Sequence, residues 1–203
     1  MPFLKTHSVY PREPFFHIEK LADEFLEEFY ETTEYIAVHW RFDLKDWKRG
    51  CYASTNNRKA LCDLIKDVTY KDIAGTVLSF IARNQEEFSG IGVYIASPPN
   101  AKEMISEVIQ VMQDFYKNDT LSSDFNHFNN TLKFYGMSDL EDWAKLRYPD
   151  CESVMSDTET LSMVEQQIAI KSKFLASAPS SSWSLRVINI GFRGEDTVPF
   201  LEN

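Results

Sequence analysis

With 203 residues, 43% hydrophobic and 14% aromatic, the chain is long enough to bury one good core, and a single domain over 1–203 is expected. A net charge of −10 with only 21 Lys and Arg argues against a protein whose main task is gripping nucleic acid, because phosphate backbones are held by clustered cations. No run of 18 or more apolar residues occurs, so no membrane span is expected, and "PFLKTHSVYPREP" after Met1 lacks the apolar centre of a secretory signal.

Residues 1–14 are expected to be irregular. From 16 to about 32, Ile18, Leu21, Phe25 and Phe29 recur at three- and four-residue spacings, which predicts an amphipathic helix with the carboxylate-rich "ADEFLEEFYETTE" as a solvated face. "YIAVHW" is short and apolar and reads as a buried strand. A polar loop to about residue 57 precedes helices over 61–68 and 73–83. The second strand, "GIGVYIAS" at 90–97, is stopped by "PP", which cannot extend a ladder. "NAKEMISEVIQVMQDFY" predicts a helix capped by Asn100. "TLKFYG" is a possible strand, "SDLEDWAKL" a capped helix, "DTETLSMVEQQIAIKSK" a further helix and "FLASA" a short strand. "SSSWSLRVINI" opens a last helix or strand at a serine cap.

This alternation predicts an α/β fold, a Rossmann-like and mainly parallel sheet with flanking helices. Ligands of such sheets lie at the carboxyl ends of the strands, which makes 39–46, 97–100 and 177–184 the loops of interest. Arg41 presents a rigid fork of donors matched to phosphate and keeps its charge near neutrality; the alternative is a salt bridge to Asp43, Asp46 or a helix carboxylate. His39, two residues earlier, lies on the same side of the strand and either donates to a phosphate or sugar oxygen or is a core histidine bonded to a backbone carbonyl. Asp43 and Asp46 orient Arg41 or, alternatively, take a proton from an acceptor hydroxyl. Ser181, Ser182 and Ser184 stand where N–H groups at a helix start cradle phosphate, or serve only as caps. Trp183 either stacks near a ligand or belongs to the core, and Glu165, on a helix expected to line the back of the pocket, either fixes a loop or contacts the nucleotide, or is simply a solvated helix carboxylate.

Other motifs are weak. Cys51, Cys62 and Cys151 show no C-x-x-C spacing, so zinc is not expected. His7, His17 and His127 have no metal-binding spacing, and "GIG" at 90–92 precedes its strand instead of following it. Asn118 and Asn129 fit the N-glycosylation pattern, which matters only in a secretory compartment.

The stretch "HWRFDLKDWKRGC" resembles the central motif of the GDP-fucose protein O-fucosyltransferase family: His-x-Arg at the exit of an apolar strand, then acidic residues and Gly-Cys. "VEQQIAIKSKFLASAPSSSWSLRV" resembles that family's later segment, and "VYIAS" its intermediate strand. The likeness spans about residues 33–190 and implies the carboxyl-terminal, donor-binding half of a GT-B glycosyltransferase. It implies GDP-fucose as donor, a Ser or Thr hydroxyl of a protein as acceptor, inversion at the sugar, and no metal cofactor; no Asp-x-Asp pair is present. It gives Arg41 the phosphate-neutralising role, makes His39, Ser181, Ser182, Trp183 and Ser184 donor-binding, and leaves Asp43, Asp46 and Glu165 as supporting groups. The segment 171–174 would lie against guanine. The compartment implied is the lumen of the endoplasmic reticulum or Golgi. The departures are Glu165 where Asp is frequent, Trp183 where Phe is common, and the lack of the Gly- and Asn-containing loop of the family's amino-terminal half. A non-catalytic nucleotide-sugar or protein-binding module derived from the family is the alternative; an unrelated α/β domain with a different phosphoryl ligand is a third.

Overall fold

All five residues of each of the two central strands are buried, the pattern of strands covered on both faces by helices. The computed structural model describes residues 13–31, 34–40, 69–83, 92–117, 132–151, 157–177, 181–191 and 197–199. In chain order these form α1 (Glu13–Tyr30), β1 (Tyr35–His39), α2 (Tyr70–Arg83), β2 (Gly92–Ala96), a 3₁₀ turn at Pro99–Ala101, and α3 (Lys102–Lys117). There follow β3 (Phe134–Gly136), α4 (Met137–Arg147), a second 3₁₀ turn at Pro149–Cys151, α5 (Thr158–Lys171), β4 (Phe174–Ser177), α6 (Ser182–Gly191) and β5 (Thr197–Pro199).

The strands make one sheet in the order β3-β2-β1-β4-β5, and every pairing is parallel. This is a doubly wound, Rossmann-like α/β fold, with the order reversing between β1 and β4. Strand periodicity sends Tyr35, Ala37 and His39 to one face. There the Tyr35 hydroxyl donates to the Ile168 carbonyl in α5 at 2.6 Å, and Ala37 packs with Ala169 of α5, Leu175 of β4 and Val187 of α6. On the other face α3 lies over β3, with Ile105 and Ile109 against Gly136, and α2 packs beside α3. The predicted layers and parallel sheet are therefore present.

Several boundaries differ from expectation for local reasons. Helix α1 begins at Glu13, so the end of the segment expected to be irregular is already helical, and it stops at Tyr30 with Glu31 in the left-handed region at φ 54°, as helix ends often do. Helix α2 starts at Tyr70 instead of 73. Thr69 and Asp72 form reciprocal bonds there: the Thr69 N–H donates to the Asp72 carboxylate at 2.7 Å and the Asp72 N–H to the Thr69 hydroxyl at 3.3 Å. Asn100 does not cap α3; it lies inside the 3₁₀ turn that Pro99 opens. Helix α4 is capped at Gly136, whose N–H donates to Asp139 at 2.8 Å, while the Ser138 hydroxyl meets Ser106 of α3 at 2.6 Å. The serine-capped segment after β4 is a helix, and β5 extends the sheet beyond the predicted elements. The helix expected over 61–68 lies outside the described residues.

The acidic face of α1 is not merely solvated. Glu28 accepts from the Trp143 indole at 2.8 Å and Glu24 from the Tyr148 hydroxyl, and both Glu19 and Asp23 pair with Lys171 at the end of α5. The helix is thereby tied to α4 and α5. Its end meets β2 at Gly92, where a Cβ would come within 2.1 Å of the Tyr30 ring. Among the described residues no helix is long and apolar enough to cross a membrane.

Candidate functional site at the β1–β4 crevice

In open α/β sheets ligands bind in the crevice at the carboxyl ends of the strands where the order reverses, here β1 and β4, and two distant pieces of sequence meet at that point. His39 is the last residue of β1. The chain from β4 re-enters as α6, whose first turn carries Ser182, Trp183 and Ser184. His39 Nδ1 and Ser184 Oγ are 2.6 Å apart, although the residues are 145 positions apart in sequence. The Trp183 ring stacks on the imidazole, centroids 4.2 Å apart and 24° from parallel.

Helix α6 starts here because Ser181 caps it. The Ser181 carbonyl accepts from the Leu185 N–H at 2.9 Å, and its hydroxyl accepts from the Ser184 N–H at 3.4 Å. This satisfies one of the helix's orphan donors. The amino end of α6, with its positive dipole end, thus faces the strand exits. Ser181 and Ser184 are each only 2% exposed, whereas Ser182 is exposed and Trp183 half-buried.

The predicted site residues that the structure describes fall into three roles. His39 is a buried histidine, 4% exposed, and the partner of its Nδ1 is a side-chain hydroxyl instead of the backbone carbonyl expected of a core histidine. Ser181 is a cap, Ser184 is the partner of His39, and Ser182 offers its hydroxyl to solvent. Trp183 touches the core from a half-buried position and gives one face to His39. Arg41, Asp43 and Asp46 lie outside the described residues, as do Cys51, Cys62, Asn118, Asn129, His7 and His127. No family model, curated protein or solved structure matches this chain.

Glu165 corrects an expectation. A solvated helix carboxylate was the simple reading, but the residue is 1% exposed, because its position in α5 turns it inward onto β2. The Tyr94 hydroxyl donates to Oε1 at 3.1 Å. Burial drives the acid well above the ordinary carboxylate range, with the Tyr94 hydroxyl and the nearby Ser97 backbone N–H pulling the other way. The same burial, with the neighbouring Glu165 charge, pushes the Tyr94 phenol up.

Sequence reasoning missed Tyr94 and Ser97. The only hint was that Tyr94 is the one aromatic residue inside an aliphatic strand, and an aromatic with a polar tip seeks a buried partner. Lys173, in the segment expected near guanine, instead has an exposed side chain paired with Glu34. Phe174 of that segment is buried in the main core. Neither is poised at the strand exits. Among the described residues no three His, Cys, Asp or Glu side chains cluster as metal ligands.

Chemically, the crevice offers a hydroxyl–imidazole pair under an aromatic plate, beside a helix amino end. Such an end suits an anion, because backbone N–H groups and the dipole act together.

Proposed function

We propose that this chain is a GDP-fucose-dependent protein O-fucosyltransferase-like domain, its donor-binding half, which places fucose with inversion on a Ser or Thr hydroxyl of an acceptor protein. One observation supports the reading above the rest. The two motifs that resemble the family, one ending β1 and the other opening α6, meet through His39 and Ser184 at 2.6 Å, in the crevice where α/β sheets bind nucleotides.

In this reading the diphosphate lies toward the amino end of α6, with the Ser182 hydroxyl and backbone N–H groups as donors. Arg41, two residues beyond His39 in the chain, neutralises the phosphate charge that develops as the sugar becomes oxocarbenium-like. Asp43 and Asp46 orient the guanidinium. Loss of a donor of this kind costs about 2.7–4 kcal/mol, or roughly 10²- to 10³-fold in rate. The working compartment would be the lumen of the endoplasmic reticulum or Golgi.

A second reading, a binding module without turnover, is favoured by one observation: His39 and Ser184 are almost fully buried and engage each other, which suits a rigid binding wall more than a proton-transferring pair. Calorimetric titration of the chain with GDP, with and without magnesium, tests both readings when followed by a fucose-transfer assay. Metal-independent binding that Arg41→Ala abolishes, with the fold intact, is the expected result. Binding without transfer selects the module, and a folded chain that ignores GDP overturns the nucleotide assignment.

A further inference from the structure

The backbone of His39 is fixed by the sheet. β1 and β2 run in register from Tyr35 against Gly92 to His39 against Ala96, and just beyond, the Trp40 N–H donates to the Ala96 carbonyl at 2.7 Å. The imidazole is not fixed by its own chain. The outer torsion of a histidine joins a tetrahedral carbon to a planar ring and has only broad preferences, so the neighbours decide how the ring lies.

Two consecutive residues of α6 supply restraints of different kinds. Trp183 stacks on the imidazole with centroids 4.2 Å apart and planes 24° from parallel, which sets the plane of the ring but lets it turn within that plane. Ser184 Oγ lies 2.6 Å from Nδ1; a bond to one ring atom stops that turning. Each restraint removes a freedom that the other leaves. Both residues are themselves held: the Ser184 N–H donates to the Ser181 hydroxyl at 3.4 Å, and Trp183 packs against both core clusters. Val187, a turn further on, is buried with Ala37, Ala169 and Leu175. Ser184 is 2% exposed, which leaves its hydroxyl little room to meet a ligand as well as the imidazole.

We propose that Trp183 and Ser184 are positioning residues: together they fix the plane and the rotation of the His39 ring, and they act on a ligand of the crevice through that ring and not by contact. Their effect on nucleotide binding rests on the function proposed above, whereas their hold on the ring does not. Supporting groups of this kind keep a binding side chain within the narrow tolerance that recognition needs.

The test is NMR of the full chain at one fixed pH, reading the ring signals of His39, with a parallel GDP titration. In wild type the indole ring current is expected to displace the His39 ring protons upfield. Ser184→Ala should move those proton signals as the ring turns under the indole, while the amides of Val93 and Ile95 inside β2 keep their positions. Trp183→Leu, which removes the aromatic plate, should move the His39 Nδ1 nitrogen resonance, and Trp183→Phe, which keeps a plate, should leave it nearly in place. GDP affinity should fall about tenfold in Ser184→Ala, the loss of one ordinary hydrogen bond. The same substitution made in His39→Ala should cost less than about twofold, because a residue that acts through the ring then has nothing to act on. Unmoved His39 ring signals in Ser184→Ala overturn the proposal. A tenfold loss that persists in the His39→Ala background overturns it too, since Ser184 would then be a ligand contact, and so do moved signals with unchanged GDP affinity, which would leave the pair a matter of stability alone. If Ser184→Ala does not fold, the Trp183 variants decide: an Nδ1 resonance that stays at its wild-type position in Trp183→Leu overturns the hold on the ring. A wild-type chain that binds no GDP removes the nucleotide reading alone, because the ring signals still decide what Trp183 and Ser184 do to His39.

Discussion

The Ser184 hydroxyl lies 2.6 Å from a nitrogen of the buried His39 imidazole. Removing one member of a buried pair leaves the other desolvated, at a cost of about 1–3 kcal/mol. Ser184→Ala should lower the urea unfolding free energy by that amount, and Ser182→Ala, at an exposed position, should change it by less than about 0.5 kcal/mol. Equal effects would mean that the His39–Ser184 contact contributes nothing to stability. Both residues stood out in the sequence as candidates, but their pairing did not. A strand exit and a helix start 145 residues apart become neighbours only when the order of the strands is known, and no local pattern encodes that. Glu165 was legible as a helical acid and illegible as a buried one: residues 162–167 are a mixed run with little apolar asymmetry, so the inward face of α5 could not be told from its outward face.

Among elements, strand and helix identities followed from periodicity, and the misses were matters of capping. Thr69 and Asp72 stand three apart, the spacing of a reciprocal cap, and they move the start of α2 ahead of its first apolar residue. The double proline set the end of β2 correctly, but it also opens a turn that takes Asn100 out of the capping position. The packing of α1 on β2 was not visible at all. Gly92 is conspicuous only once the Tyr30 ring is seen to occupy the space of its missing side chain. Gly92→Ala should therefore force the ring aside and destabilise the protein by about 1–3 kcal/mol, the range for overpacking a filled core. Thermal unfolding of Gly92→Ala, Tyr30→Ala and the double variant measures this. If the cause is the ring, the two losses should be clearly non-additive, with the glycine substitution costing little once the ring is gone; additive losses would mean that the strand backbone itself resists alanine.

For the whole molecule, the α/β class and the parallel sheet were readable from alternating elements, while the reversal of strand order was not, since the same alternation fits other orders. Stability against pH is a property at this scale. Glu165 is held above its ordinary value of 4.5 by burial. The unfolded chain would ionise this acid near 4.5 while the native state resists, so the stability that its neutral form contributes is present below that pH and lost as pH rises toward the native value. Glu24 and Glu141 lie below the ordinary range, Glu24 chiefly through the Tyr148 hydroxyl and Glu141 through Lys102 and Lys145 despite its burial. Their contributions run the other way and fade in acid. Denaturant unfolding from pH 3 to 9, wild type against Glu165→Gln, isolates the first effect. The difference between the two should be flat at the acid end and turn against wild type above about pH 4.5; parallel curves throughout would show that Glu165 titrates normally.

Strand β1 lies in the middle of the sheet, but its two partners are made at very different times. β2 follows it soon enough to pair early, whereas β4 is complete only at Ser177. During synthesis, and in any product ending before Phe174, one side of "YIAVH" is left with open backbone donors and acceptors in a nearly uncharged, β-branched-rich segment. Such an edge recruits other strands, and long-range parallel pairing closes slowly. The same topology that gathers the crevice from two ends of the chain thus makes its central strand the segment most in need of protection from self-association while the protein is being made.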